Sequence, residues 1–352
     1  MFALAKRKQT YFDHPKLPTM KAFIIDKYKS TDGGRIADVP EPELRPGDVL
    51  VRVHVAGLNI LDAKIRTGEF KLVLPYRFPL ILGNDVAGVV VKVGSQVRRF
   101  KVGDEVYARP DKDRIGTFAE YIAMDEADVA LKPRSINMEE AAGIPLVGLT
   151  AWQALVQIAD LKKGQKVFIQ AGSGGVGTFA IQLAKHLGAT VATTTSAANV
   201  ELVKRLGADV VIDYKKDDFE TLLSGYDVVL NSQDAKTLEK SLRILKPCGK
   251  LISITGPPDA AFARELGAPW YVELLMKVLS AGVRRKAKRL KVDYAFLFMK
   301  ANGDQLARIT ALIDAGAIRP VMDKVFPFHE TKEALAYLEA GRAKGKVVVK
   351  VV

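Results

Sequence analysis

Cysteine is nearly absent from this chain of 352 residues: Cys248 is the only one. No disulfide can form within the chain, and zinc lobes that need several thiolates are excluded. Cys248 stands in Lys246-Pro247-Cys248-Gly249, a turn before a strand, which favours a structural over a nucleophilic role. Histidine is also scarce. His14, His54, His186 and His329 share no ligand spacing, which leaves a catalytic zinc without its usual donors. No apolar run approaches the roughly 18 residues that span a bilayer, and neither a long-period repeat nor a low-complexity segment occurs. With 48% hydrophobic and 26% charged residues, these absences predict a globular, cytoplasmic protein with ample core for about two domains.

Negative charge falls short of positive. The formal balance is +13, which favours anionic ligands and surfaces. Part of the excess lies in Arg284-Arg285-Lys286-Ala287-Lys288-Arg289-Leu290-Lys291. That cluster reads either as a contact for RNA or acidic lipid or as a solvated helix face beside a cleft. Without an interleaved aromatic platform, nucleic acid is the weaker choice, and peripheral membrane contact stays open. Residues 1–19 read as a loose basic extension. Asp13, Pro15 and Pro18 make it a poor transit peptide.

What the sequence has is a glycine loop in a telling place. Lys166–Gln170 is an apolar strand, Ala171-Gly172-Ser173-Gly174-Gly175-Val176-Gly177 a glycine turn, and Thr178–Leu187 an amphipathic helix. Gly172, Gly174 and Gly177 have the G-x-G-x-x-G spacing, which lets a pyrophosphate approach backbone N–H groups at a helix start. Strands then alternate with helices: Ala189–Thr195, Asp209–Tyr214, Tyr226–Asn231 and Lys250–Thr255. This is the pattern of a doubly wound parallel sheet of α/β class that binds a dinucleotide. At the end of the second strand, where an NAD site usually has a carboxylate, stand Thr193-Thr194-Thr195-Ser196. Hydroxyls can donate to a 2′-phosphate, so NADPH is the expected cofactor. Thr195, Ser196, Asn199 and Tyr214 are its candidate contacts, with Lys215 or Arg205 as countercharges.

Before this repeat, from Met20 to about residue 145, short strands and turns such as Pro40-Glu41-Pro42 and Pro46-Gly47-Asp48 imply a barrel or sandwich, with a helical interlude at Asn59–Thr67. After it come a long helical stretch around Trp270–Lys291, a strand at Tyr294–Met299, a helix at Gln305–Ala315, and strand, helix and strand at Pro320–Phe328, Thr331–Glu339 and Lys346–Val352.

Four blocks in order, Ala56–Gly68, Leu82–Gly88, Gly148–Ala151 and Ala171–Gly177, and the ending Gly341–Val349 resemble the zinc-free quinone oxidoreductase and enone (alkenal) reductase branch of the medium-chain dehydrogenase/reductase superfamily. The likeness runs from Met20 to Val352. It implies a GroES-like β-barrel beside a Rossmann doubly wound sheet, with an extension at 1–19, a catalytic domain at 20–147, a nucleotide domain at 148–300 and a segment at 301–352 returning to the catalytic domain.

The zinc-dependent members have a cysteine ligand where this chain has Asn59 and a His-Glu pair where it has Asn84-Asp85, so the resemblance implies no metal site. Without a Lewis acid, hydride transfer needs an acceptor already activated by conjugation, a quinone or an α,β-unsaturated carbonyl. By position, Asn59, Asp62 and Lys64 face the cleft in the family, as candidate catalytic residues. Thr150, Gly172, Gly174, Gly175, Val176, Gly177, Asn231, Thr255 and Lys346 join the four 2′-phosphate candidates as the cofactor-binding set. Some relatives have a tyrosine where this chain has Lys64, so a tyrosine proton donor does not carry over, and nearby Tyr76 is a substitute that no motif supports. A homodimer is implied too. Two rivals stay open: an enoyl-thioester reductase, and an NADPH-regulated protein that binds RNA or membrane.

Overall fold

The computed structural model describes residues 18–29, 33–71 and 74–352. Nearly all of the 1–19 extension lies outside the described residues, and Thr19 itself opens the first strand. The strands are β1 (Thr19–Ile25), β2 (Arg35–Pro40), β3 (Asp48–Gly57), β4 (Leu80–Ile81), β5 (Asp85–Val93), β6 (Glu105–Ala108), β7 (Tyr121–Asp125), β8 (Val129–Leu131), β9 (Lys166–Ile169), β10 (Thr190–Thr195), β11 (Val210–Asp213), β12 (Tyr226–Asn231), β13 (Leu245–Ser253), β14 (Asp293–Phe296), β15 (Met322–Pro327) and β16 (Lys346–Lys350). The helices are α1 (Ile60–Thr67), α2 (Met138–Ala142), α3 (Pro145–Trp152), α4 (Gly175–His186), α5 (Val200–Arg205), α6 (Phe219–Leu222), α7 (Ala235–Arg243), α8 (Ala260–Glu265), α9 (Trp270–Leu279), α10 (Ala281–Arg289), α11 (Gly303–Asp314) and α12 (Thr331–Glu339).

In the first lobe β1, β2 and β4 form a small antiparallel sheet, and a larger sheet runs β15-β16-β3-β5-β6-β8 with β7 also on β3. Val49, Val51, Val53 and Val55 of β3 are buried while Arg52 between them is exposed, the period-2 pattern of a sheet facing a core. The pairing of β16 with β3, Val348 opposite Gly57, brings the end of the chain back to this lobe.

The second lobe is a parallel sheet in the order β11-β10-β9-β12-β13-β14. Val167, Phe168 and Ile169 of β9 and Val228, Val229 and Leu230 of β12 are all buried, as strands covered on both faces must be. The chain winds outward from β9 in one direction and resumes at β12 in the other. The crevice at the carboxyl ends of β9 and β12 is therefore the topological switch point where such sheets bind ligands. One apolar core crosses the lobe boundary, joining Val55, Ala87 and Tyr107 to Ile169, Phe179 and Leu306. The Tyr107 hydroxyl donates to the Leu306 carbonyl across it at 2.8 Å.

Two expectations change in the helical stretch. The run around Trp270–Lys291 is two helices that share Ser280 as a cap. The buried Ser280 hydroxyl donates back to the Met276 carbonyl at 2.9 Å, a local bond that competes with helix continuation. The strand expected over Tyr294–Met299 ends at Phe296, and Leu297 to Met299 leave the sheet to line a cleft.

Candidate active site

The strand β9 leads into the glycine loop. Gly172 is pressed against β10, where a Cβ would lie 2.2 Å from the Thr193 hydroxyl oxygen. At Gly177 a Cβ would meet the Ala171 carbonyl oxygen at 2.3 Å. Gly174 caps α4 without any side-chain hydrogen bond, so the N–H groups of the first helical turn have no partner within the helix. Gly174, Gly175, Val176 and Gly177 border a cleft of ≈ 330 Å³ between the lobes. Close backbone approach, unpaired N–H groups and a helix dipole fit a dinucleotide pyrophosphate.

The loop is also fixed from the other lobe. Gly345 donates its N–H to the Ser173 carbonyl at 2.9 Å and forms a bridge with Gly174. Gly345 has φ +82, and a Cβ there would stand 2.1 Å from the Val321 carbonyl oxygen.

At the end of β10 the hydroxyl of Thr195 donates to Ser173 Oγ at 2.9 Å, and Asn199 Nδ2 donates to the same oxygen at 3.2 Å. Asn199 Oδ1 is buried with no hydrogen-bond partner among the described residues. Ser196 lies within 3.4 Å of Asn199 Nδ2, and the exposed Tyr214 is tied to the same corner by its N–H to the Thr195 carbonyl. The structure thus gathers Thr195, Ser196 and Asn199 around Ser173, which motif reading missed because it occupies a variable position of the loop, while the Tyr214 side chain stays in solvent. Lys215 and Arg205 are exposed, with no ion pair among the described residues.

Beside α1 and α3 the cleft meets a buried polar network that reaches it at Asn59, Thr150 and Lys346. Asn59 caps α1, and Asp62 completes a capping box by accepting the Asn59 N–H at 2.7 Å. Gly68, with φ 77, closes the same helix. Asn59 Nδ2 donates to Asp85 at 2.9 Å, while the Lys346 ammonium donates to Asn59 Oδ1 at 2.6 Å and to Asp85 at 3.1 Å. Asp85 also accepts the Leu146 N–H at 2.7 Å, which anchors the start of α3. One turn on, the Thr150 hydroxyl donates to the Leu146 carbonyl at 2.7 Å.

Two sequence expectations need correction here. Asp62 does not face the cleft: it is fully buried beneath Asn59, with Asn84 Nδ2 donating to it at 2.7 Å. Its removal from water pushes its carboxyl up to about 7, against the two N–H donations that hold it down. The Asn231 side chain likewise is not in the cleft. It donates to Gln170 Oε1 at 2.8 Å and accepts from Ser253 at 2.6 Å, while neighbouring Ser232 and Thr255 reach the cleft wall. Tyr76 donates to the Lys112 carbonyl at 2.8 Å and burial raises its phenol well above the usual range, so it is no proton donor to the cleft. Lys64 does line the cleft and stands 3.5 Å from Glu69.

The residue that sequence reading overlooked is Arg109, just past β6. It borders the cleft with 1% of its surface exposed. Among the described residues its guanidinium has no ion pair, and its Nε is buried without a hydrogen bond. Phe70, Phe296 and Phe298 supply apolar wall beside it. No sequence signal marks it, because its lack of a partner exists only in three dimensions.

Metal chemistry does not suit this donor set. Where a dication would need anionic ligands, the Lys346 ammonium already neutralises Asp85, and Asn59 and Asn84 offer only amides. Among the described residues no group of three His, Cys, Asp or Glu side chains could hold a metal ion.

Comparison with known proteins agrees with this geometry. Residues 45–134 match the alcohol dehydrogenase GroES-like domain and residues 206–349 the zinc-binding dehydrogenase family. The chloroplastic NADPH-dependent alkenal/one oxidoreductase of Arabidopsis thaliana is 37% identical over 94% of this chain and 79% of its own length. The chain belongs to the zinc-independent quinone and enone oxidoreductase branch of the medium-chain dehydrogenase/reductase superfamily. Within that branch, a mitochondrial NAD(P)H oxidoreductase of Bos taurus is 36% identical over 96% of this chain and 91% of its own. The quinone oxidoreductase of Coxiella burnetii superposes with a TM-score of 0.82 at 31% identity, covering 95% of this chain and 100% of its own. The expectation of a cytoplasmic location is overturned by these relatives, of which the Arabidopsis and Bos proteins are chloroplastic and mitochondrial.

Proposed function

We propose that this protein is an NADPH-dependent reductase that delivers hydride to a conjugated acceptor, a quinone or an α,β-unsaturated carbonyl. The observation that carries the reading is a cleft in which the glycine loop and unpaired start of α4 meet an apolar chamber containing Arg109, which has no ion pair among the described residues. NADPH would rest its pyrophosphate on Gly174–Gly177, its 2′-phosphate among Thr195, Ser196, Asn199 and Ser173, and its nicotinamide near Thr150. Bound there, it supplies a hydride equivalent.

The chain's own residues do the rest. Reduction of an enone or quinone places negative charge on the acceptor oxygen, and a guanidinium in an apolar wall stabilises that charge without reorganisation. Arg109 is assigned that task. Lys64 reaches the acceptor or the ribose from α1. Asn59 and Lys346 keep the cleft floor polar and fixed, and Asp62 acts as a positioning residue through the α1 cap. The phenylalanine walls exclude water. In this reading the lobes divide near 147/148 and 300/301, and the enzyme is a homodimer, to be checked by light scattering.

The test is NADPH consumption with a quinone, a short enone and an enoyl-CoA. Turnover of the first two is expected. Preference for the thioester would select the rival chemistry, and inactivity on all three would end both readings.

A further inference from the structure

The helix α9 is turned the wrong way round for a globular protein. Tyr271, Leu274, Leu275, Val278 and Leu279 recur at i, i+3, i+4, i+7 and i+8, the spacing of a core-facing stripe, yet every one is exposed, Leu274 by 53% and Leu275 by 55%. Trp270 at the start of the helix is 76% exposed. The opposite side already packs, with Met276 buried against Phe262 and, behind it, Phe296 and Phe298. Contiguous exposed apolar surface of this kind marks an interaction site.

The next helix carries the complementary signal. α10 buries only Val283 and Ala287 and contains no acidic residue. Lys286 is paired with Glu239, but Arg284, Arg285, Lys288, Arg289 and Lys291 have no carboxylate within ion-pair distance among the described residues. Arg284, Arg285, Lys288 and Lys291 join Lys277 of α9 around a shallow recess of ≈ 740 Å³ in which Asp293 is the one carboxylate. Ser280, fully buried, is the cap of both helices and fixes one against the other.

We propose that α9 and α10 together dock the protein on an anionic lipid bilayer: the outward stripe of α9 enters the headgroup and acyl boundary while the cations of α10 meet lipid phosphates. An aromatic pair at one end, an aliphatic stripe and flanking cations are what an interfacial helix needs. A second copy of the chain fits less well. A twofold contact through this face would bring two sets of unpaired cations together in a molecule already at +13. The docked face also lies behind the cleft wall, since α9 packs on Phe296 and Phe298, which line the cleft. An apolar acceptor dissolved in the bilayer would then be close to the chamber.

The experiment is sedimentation of the full chain with vesicles of phosphatidylcholine alone or mixed with phosphatidylglycerol, at about 0.15 M salt. The wild type is expected to sediment with the anionic vesicles only. Leu274→Glu/Leu275→Glu should weaken partitioning at least about tenfold, and Arg284→Gln/Arg285→Gln/Lys288→Gln by about fivefold for each charge removed. Both variants change exposed side chains, so unchanged unfolding midpoints and NADPH affinity are expected and serve as the folding control.

Wild-type protein that stays in the supernatant overturns the proposal. So does a Leu274→Glu/Leu275→Glu variant that binds like wild type, which would reduce the effect to charge alone, and so does one whose mass falls to half, which would make this face a contact between copies. Because binding is read without turnover, the result stands apart from the assignment of the reaction.

Discussion

At the scale of single residues, Arg109 separates stability from activity. Burying an unpaired cation costs free energy, so Arg109→Leu is expected to raise the unfolding midpoint while lowering kcat/KM for the acceptor about a hundredfold or more, the usual loss for one oxyanion donor. Denaturant unfolding beside steady-state kinetics checks both, and a destabilised variant would make the guanidinium structural. Ser196→Asp tests the cofactor end. Hydrogen bonds to a charged group contribute about 1.5–3 kcal/mol each, so exchanging a donor for a like charge should raise the Michaelis constant for NADPH more than tenfold and leave NADH unchanged or improved.

Asp62 gives a pH signature. Its folded value of about 7 lies above the ordinary value of about 3.9, so the folded state holds a proton that the unfolded state releases. Stability from this group is fully present below about pH 4 and is lost as pH rises to about 7, on the order of a few kcal/mol. Relative to wild type, Asp62→Asn should show a flatter unfolding midpoint between pH 5 and 7, as followed by circular dichroism. Residue type and motif position could suggest Asp62 and Asn231, but not which side of their elements faced the cleft. Arg109 and Ser173 were illegible for the converse reason: what matters is what surrounds them.

Elements were more legible where backbone chemistry dictates sequence. β12 begins and ends at the expected residues, Tyr226 and Asn231, because its centre, Val228 to Leu230, is covered on both faces and must be apolar. The glycine loop was readable because only glycine tolerates those contacts. The break between α9 and α10 was not, since Ser280 and its neighbours carry ordinary helical periodicity. Strands β2, β7 and β8 are short or polar enough to pass for turns. Gly345 offers a test at this scale. Gly345→Ala forces a side chain into φ +82 and against the Val321 carbonyl, at a cost of about 1–3 kcal/mol. Because Gly345 also holds the Ser173 carbonyl, NADPH affinity should fall with it, as fluorescence titration would show.

At the scale of the whole molecule, the cleft takes walls from both lobes over a shared core. NADPH should therefore protect them together: at a hundred times its dissociation constant it adds about 2.7 kcal/mol, read as one shifted transition in calorimetry and not two. Exhaustive EDTA treatment should leave turnover intact, and a stoichiometric loss of activity with released zinc would contradict the role given to Lys346.

The pairing of β16 with β3 reaches further than the architecture. Val348 and Gly57 are partners with most of the chain between them, whereas every strand of the parallel sheet lies within one continuous stretch from Lys166 to Phe296. Contacts of long sequence separation are slow to form because the intervening loop must first be closed. The parallel sheet can thus condense early as its own nucleus, while the larger sheet of the first lobe waits with an open edge on β3. During that interval β3 is a template for the corresponding strand of another chain, so crowding in a cell would set a race between completing the fold and exchanging its last strand.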